Sequence, residues 1–327
     1  MFLEKEGKLI YSYDGETVCI EAWGKDALRV RATKNRSFTG RDWALEAKDA
    51  HAGEVEIFED PSAKGGAFAN MYEGTDTSYG KITNGKLHAV IDSGSVITFY
   101  HEDGRVLLKE HFRRLRDEES MPLNIMGREY SNGVGDNFRI VARFVARKGE
   151  KIFGMGQYQQ HELDLKGCML ELAQRNSQVS VPFYLSSIGY GFLWNNPGVG
   201  QVMFANNGTE WVTESGKEID YLVIAGDTPA EIEENYMTLT GKPPMMPEYG
   251  MGFWQCKLRY WNQEQLLSVA RKYKELGVPL DVIVVDFFHW TKQGEFKFDP
   301  KYWPDVPGMC RELKEMGIQV VVSVWPT

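Results

Sequence analysis

Two short β-branched runs constrain this chain more than anything else in it. Residues 282–286 read Val-Ile-Val-Val-Asp, and residues 320–325 read Val-Val-Val-Ser-Val-Trp. Runs that are apolar at successive positions fit strands buried on both faces, as in a parallel sheet. A helix pattern lies between them: Pro307 starts it, Met309, Leu313 and Met316 fall along one side, and Gly317 stops it. A first strand is expected over Tyr249–Gln255, a second over Leu280–Val285 and a third over Ile318–Trp325. The helix joining the first two has Asn262 at its cap and Gln265 three residues on, Leu266, Ala270 and Tyr273 on one face, and Gly277 at its end. This is the opening of a parallel α/β barrel. A complete (β/α)8 barrel takes about 250 residues, so residues 246–327 are read as the first three β/α units of an incomplete one.

Upstream the period changes. Residues 1–228 read as short strands such as Val18–Trp23, Ala27–Ala32, Lys86–Ile91 and Val96–Tyr100. Turn signals recur between strands at Asp14-Gly15, Asn84-Gly85, Asp103-Gly104 and Asn207-Gly208. That spacing predicts an antiparallel β-sandwich. Thr228-Pro229-Ala230-Glu231 then opens a helix to about Leu239, and Gly241 to Pro247 form a stiff, proline-rich linker. The expected organisation is a sandwich over 1–228, a helix and linker over 229–245, and the barrel opening over 246–327.

Composition narrows the function. A net charge of −9 argues against a nucleic-acid partner, which selects basic faces. No run approaches the roughly 18 apolar residues of a membrane span, and Met1 to Glu6 turn polar at once, without the apolar core of a signal peptide. We expect a cytoplasmic protein, and the sequence leaves homo-oligomerisation open. Cys19, Cys168, Cys256 and Cys310 are scattered without metal-ligand spacing. They read as free buried thiols. Aromatic residues make up 13% of the chain, with Trp at nine positions; most suit sandwich cores, and some suit a sugar-stacking cleft.

The motifs are more specific. Tyr236-x-x-Leu239-Thr240-Gly241-Lys242-Pro243-Pro244-Met245-x-Pro247 runs into Gly250-Met251-Gly252-Phe253-Trp254-Gln255. Phe153-Gly154-Met155-Gly156-Gln157 precedes it, as do Pro182 to Ser187 and Gly189-Tyr190-Gly191-Phe192-Leu193-Trp194-Asn195-Asn196-Pro197. Phe298-Asp299-Pro300-x-x-Trp303-Pro304-Asp305-x-x-Gly308-Met309 follows. In this order, from about residue 150 onward, they resemble glycoside hydrolase family 31, which holds α-glucosidases and α-xylosidases. The first 150 residues match only in general character.

The active site of a (β/α)8 barrel lies at the C-terminal ends of its strands. Asp286 follows four β-branched residues at such an end. The resemblance matches it to the aspartate that grips the non-reducing sugar; the alternative is a helix-capping or loop-structuring Asp. Trp325 matches a family position where an aromatic walls the innermost sugar site, with barrel-core packing as the alternative. Phe287 and Trp290 are further substrate-binding candidates, and core packing serves each equally well. His289 reads as structural or substrate-contacting rather than catalytic. Lys257 and Arg259 could orient substrate, pair with nearby carboxylates or simply be solvated, and Gln157 enters from the sandwich loop.

The resemblance implies retaining hydrolysis by two carboxylates, with the nucleophile after the fourth barrel strand and the acid/base after the sixth. This sequence contains neither strand, so no catalytic nucleophile or acid is assigned, and residues 1–327 alone are expected to be inactive and poorly soluble. Asp299-Pro300 and Pro304-Asp305 read as turn chemistry. No metal or other cofactor is implied, since such hydrolysis needs carboxylates and water. The aromatics after Asp286 resemble the α-xylosidase branch, whereas many α-glucosidases carry a second acidic residue there. The expected partner is a small α-xyloside or α-glucoside, and the competing reading is a non-catalytic carbohydrate-binding fragment.

Overall fold

The computed structural model describes residues 1–61, 77–111, 113–115 and 123–326. The chain divides into two compact units, Met1–Lys242 and Pro243–Thr327.

The first unit is built from antiparallel sheets. The largest runs in spatial order through Phe2–Lys5, Lys8–Tyr13, Glu16–Trp23, Ala27–Thr33, Ile219–Ala225, Tyr190–Trp194, Val179–Ser186 and Ile152–Gln157. A second sheet holds Val106–Lys109, Ile97–His101, Leu87–Asp92, Tyr79–Asn84 and Glu54–Phe58. A third holds Arg128–Asn132, Phe138–Phe144, Gly208–Gly216, Gly200–Ala205 and Met169–Leu172. One continuous core takes side chains from all three, including Ile20, Phe99, Phe144, Phe192, Trp194, Trp211 and Tyr221. Sheets that share one apolar layer in this way are packed face to face. Leu87, Ala89 and Ile91 are buried while their neighbours are not, the period of two that a half-covered strand requires.

Ile219–Ala225 breaks that period, because all seven residues are buried. Tyr221 and Val223 enter the shared core, whereas Leu222 and Ile224 enter a separate cluster with Ile232 and Leu239 of the helix Pro229–Thr240. That helix therefore covers the outer face of the large sheet. Thr228 caps it, its hydroxyl accepting from the Glu231 N–H at 3.2 Å, and the Glu231 carboxylate accepts from the Asp227 N–H at 3.0 Å. This is the reciprocal arrangement of a capping box, displaced by one residue.

The second unit holds three parallel strands, Trp254–Gln255, Val282–Val285 and Gln319–Val322, with the middle one central in the sheet. Helices Gln263–Glu275 and Val306–Glu315 make the two crossovers. The third strand has no following helix among the described residues. Ile283 and Val285 pack with Leu266, Ala270, Met309 and Leu313 in the helix-side core. Both helices start at side-chain caps. The Asn262 Oδ1 accepts the Gln265 N–H at 2.9 Å, and the Asp305 Oδ1 accepts the Gly308 N–H at 2.9 Å.

The strand expected over Tyr249–Gln255 is shorter. Glu248–Met251 forms a 3-10 turn, closed by the Gly250 N–H donating to the Pro247 carbonyl, and only Trp254–Gln255 pairs with the sheet. The third strand likewise ends at Val322, three residues before Trp325. Among the described helices none is long and apolar enough to cross a membrane.

Candidate functional site

The spatial order of the three parallel strands decides what meets at their C-terminal ends. Val282–Val285 lies between the other two, so the residue after it has the ends of both neighbours on its flanks. That residue is Asp286, half-buried. Its Oδ1 accepts the Phe287 N–H at 2.8 Å, and its Oδ2 lies 3.4 Å from the Cys256 Sγ, at the end of the first strand. Burial, the hydrogen bond to Asp286 and the carboxylate's charge together push the Cys256 thiol above the usual thiol range.

On the other flank, Phe287 stacks on Trp325, ring centroids 5.3 Å apart and planes within 23°. Phe288 meets Phe287 edge to face at 4.8 Å. Trp290 lies 6.1 Å from Trp325 and 6.0 Å from Phe288. These rings differ in access: Trp325 is 45% exposed and Phe288 53%, while Trp290 is 7% exposed and packs beneath them. Phe288 holds a left-handed backbone with φ of 61°. A bulky residue in that region is strained, and such strain gathers at functional positions. The Arg259 guanidinium lies 3.7 Å from the Trp261 ring centroid and 5.1 Å from that of Phe288, tying the first strand's loop to the aromatic group.

His289 is anchored. It is 3% exposed, its Nδ1 donates to the Asp286 carbonyl at 3.0 Å, and its carbonyl accepts the Asp299 N–H at 2.7 Å. Donation from Nδ1 leaves Nε2 without the proton in the neutral ring. Lys257 is exposed and makes no ion pair among the described residues. Gln157 belongs to the first unit, exposed at the end of Ile152–Gln157, where its backbone is paired with Val179. The second unit thus brings Asp286, Phe287, Trp290 and Trp325 together, and Lys257 follows directly on Cys256.

The expectation of four buried thiols is corrected: Cys19 is buried, Cys168 is half-buried, and Cys256 and Cys310 are exposed. Cys256 lies beyond the end of a two-residue strand, and Cys310 lies off the helix face that carries the buried Met309 and Leu313. Phe288 and Arg259 were not singled out as partners.

Two family descriptions match the chain. Residues 17–202 match the glycosyl hydrolase 31 N-terminal galactose mutarotase-like domain, and residues 243–327 match the glycosyl hydrolases family 31 TIM-barrel domain. The family 31 glucosidase ORF2 of Pseudescherichia vulneris is 42% identical over 99% of this chain. Alpha-xylosidase A of Aspergillus niger is 29% identical over 95% of it. A crystal structure of a GH31 alpha-xylosidase from a soil metagenome, complexed with xylose, superposes with a TM-score of 0.87 at 44% identity over 100% of this chain. The chain spans 60%, 42% and 47% of the lengths of these three proteins, respectively. The barrel match starts at Pro243, where the second compact unit starts, and the matched domains follow one another in a single chain that belongs to glycosyl hydrolase family 31.

Proposed function

We propose that the protein carrying this chain is a retaining α-glycoside hydrolase that releases xylose or glucose from the non-reducing end of α-linked oligosaccharides. The observation that carries this reading is the half-buried Asp286 carboxylate at the end of the central parallel strand, beside the stacked Phe287 and Trp325. A carboxylate so placed accepts from vicinal sugar hydroxyls in short, charge-assisted bonds. The adjoining rings offer faces to the sugar's C–H surface. Lys257 and Trp290 are proposed as supporting contacts in the second unit, and Gln157 as a contact from the first.

Asp299 and Asp305 are not candidates for the chemistry. The Asp299 Oδ1 accepts the Lys301 N–H at 2.9 Å, and Asp305 caps a helix, so both serve local structure. We place the nucleophile and the acid/base on barrel strands outside this sequence, and residues 1–327 alone are expected not to hydrolyse glycosides. Xylose is the favoured sugar, because Phe287 and Phe288 add bulk beside Asp286 where a hexose carries its extra hydroxymethyl group. The alpha-xylosidases among the relatives support that lean.

Aryl α-xyloside and aryl α-glucoside assayed side by side on the full-length protein test the reading, with faster release from the xyloside expected. Asp286→Ala is expected to lower kcat/KM by at least about a hundredfold, since it removes hydrogen bonds to a charged group at about 1.5–3 kcal/mol each. Turnover of neither substrate, or an Asp286→Ala variant of full activity, would overturn it.

A further inference from the structure

The first unit contains a cavity that the reading above does not use. It encloses about 720 Å³ and is lined by the loop of residues 35–43 together with segments around Asp136, Pro197 and Lys217. That volume lies within the range of small-molecule sites. On its rim stands Trp43, 45% exposed, with a left-handed φ of 54°. An exposed indole on a strained backbone persists only when the surroundings enforce it.

Those surroundings are explicit. The buried Asn195 side chain grips both neighbours of Trp43: its Nδ2 donates to the Asp42 carbonyl at 3.1 Å, and its Oδ1 accepts the Ala44 N–H at 3.3 Å. The fully buried Arg29 donates to the Asp42 carboxylate at 2.7 Å and to the Arg41 carbonyl at 2.8 Å, while Asp220 holds it from below through two bonds of 2.7 and 3.0 Å. Farther along the loop, Glu218 accepts from both the Thr39 N–H and its hydroxyl at 2.8 Å. The loop is thus fixed from beneath, and the indole is held outward over the cavity, with the Arg41 guanidinium 5.3 Å from its ring.

The lining favours a hydroxyl-rich, uncharged ligand. Both charge signs line it, Arg36, Arg41 and Lys217 with Asp136 and Glu218, and Asp136 and Lys217 pair with each other at 2.6 Å. The side chains of Ser37, Asn137 and Ser215 line the cavity and take no protein hydrogen-bond partner among the described residues. They can both donate and accept. From this geometry we infer that the cavity beside Trp43 is a second saccharide-binding site, separate from the Asp286 group, with the indole as its stacking platform.

The test is calorimetric titration of the full chain with maltotetraose, in an Asp286→Ala background that removes the other proposed sugar contact. Binding is expected to survive Asp286→Ala. Adding Trp43→Gly, a residue that accepts the positive φ without strain, should leave the fold intact by circular dichroism and weaken binding by about tenfold or more, the scale of 1.4 kcal/mol. Adding Trp43→Phe instead should restore part of the affinity. Absence of binding in the Asp286→Ala chain, or an unchanged affinity with Trp43→Gly, would overturn the assignment.

Discussion

The contact between Cys256 and Asp286 ties the reactivity of a thiol to the charge of a carboxylate. The thiolate is the nucleophile in alkylation. With the Cys256 pKa raised by burial and by Asp286, its thiolate forms only at higher pH than an ordinary thiol's. Replacing Asp286 by Asn removes the negative charge, so the pKa falls and more thiolate is present at a given pH. Iodoacetamide labelling of Cys256, followed by peptide mass spectrometry across pH 7 to 10, should be slow in the unaltered chain. In Asp286→Asn it should shift to lower pH and quicken near neutrality, following the thiolate fraction. Superimposable pH profiles would mean that the two side chains do not meet. At this scale the sequence was informative about Asp286, because a carboxylate closing a β-branched run stands at a strand end. It was silent on Cys256, because side-by-side placement depends on pairing between strands that are far apart in sequence.

Among the elements, local signals carried far. The caps at Thr228 and Asn262 were legible because a capping residue and its target N–H lie three positions apart. Of the strand expected over Tyr249–Gln255, Tyr249–Phe253 lies outside the sheet: its aromatics have strand propensity, while the Pro247 carbonyl captures the Gly250 N–H in a tight turn. The uninterrupted burial of Ile219–Ala225 was not legible either, because it arises when a helix that follows the strand folds back over its second face. That geometry makes a prediction. Leu222 is fully buried between the large sheet and the helix bearing Ile232 and Leu239. Leu222→Ala is expected to destabilise the first unit by about 2–5 kcal/mol through lost burial and a residual cavity. Urea unfolding should show the midpoint fall at unchanged slope; a loss below about 0.5 kcal/mol, the range of ordinary surface substitutions, would mean that the helix does not cover that face.

For the molecule as a whole, the two units differ in how completely their sheets are covered. The first closes its large sheet with a shared core on one side and a helix on the other. In the second, Gln319–Val322 has a strand partner on one side only among the described residues, and its valines are half-buried where those of the central strand are mostly buried. An apolar strand with an unpaired edge invites pairing with a second copy. Val320 and Val322 serve the helix-side core. Val321, paired in register with Val284, faces the other way by alternation. A lysine at 321 therefore places charge on the edge without emptying the core. Residues 1–327 are expected to self-associate in sedimentation velocity as concentration rises, and Val321→Lys to shift the distribution toward monomer with the circular dichroism spectrum retained. Association that persists unchanged in the variant would locate the contact elsewhere and remove the open edge as its cause.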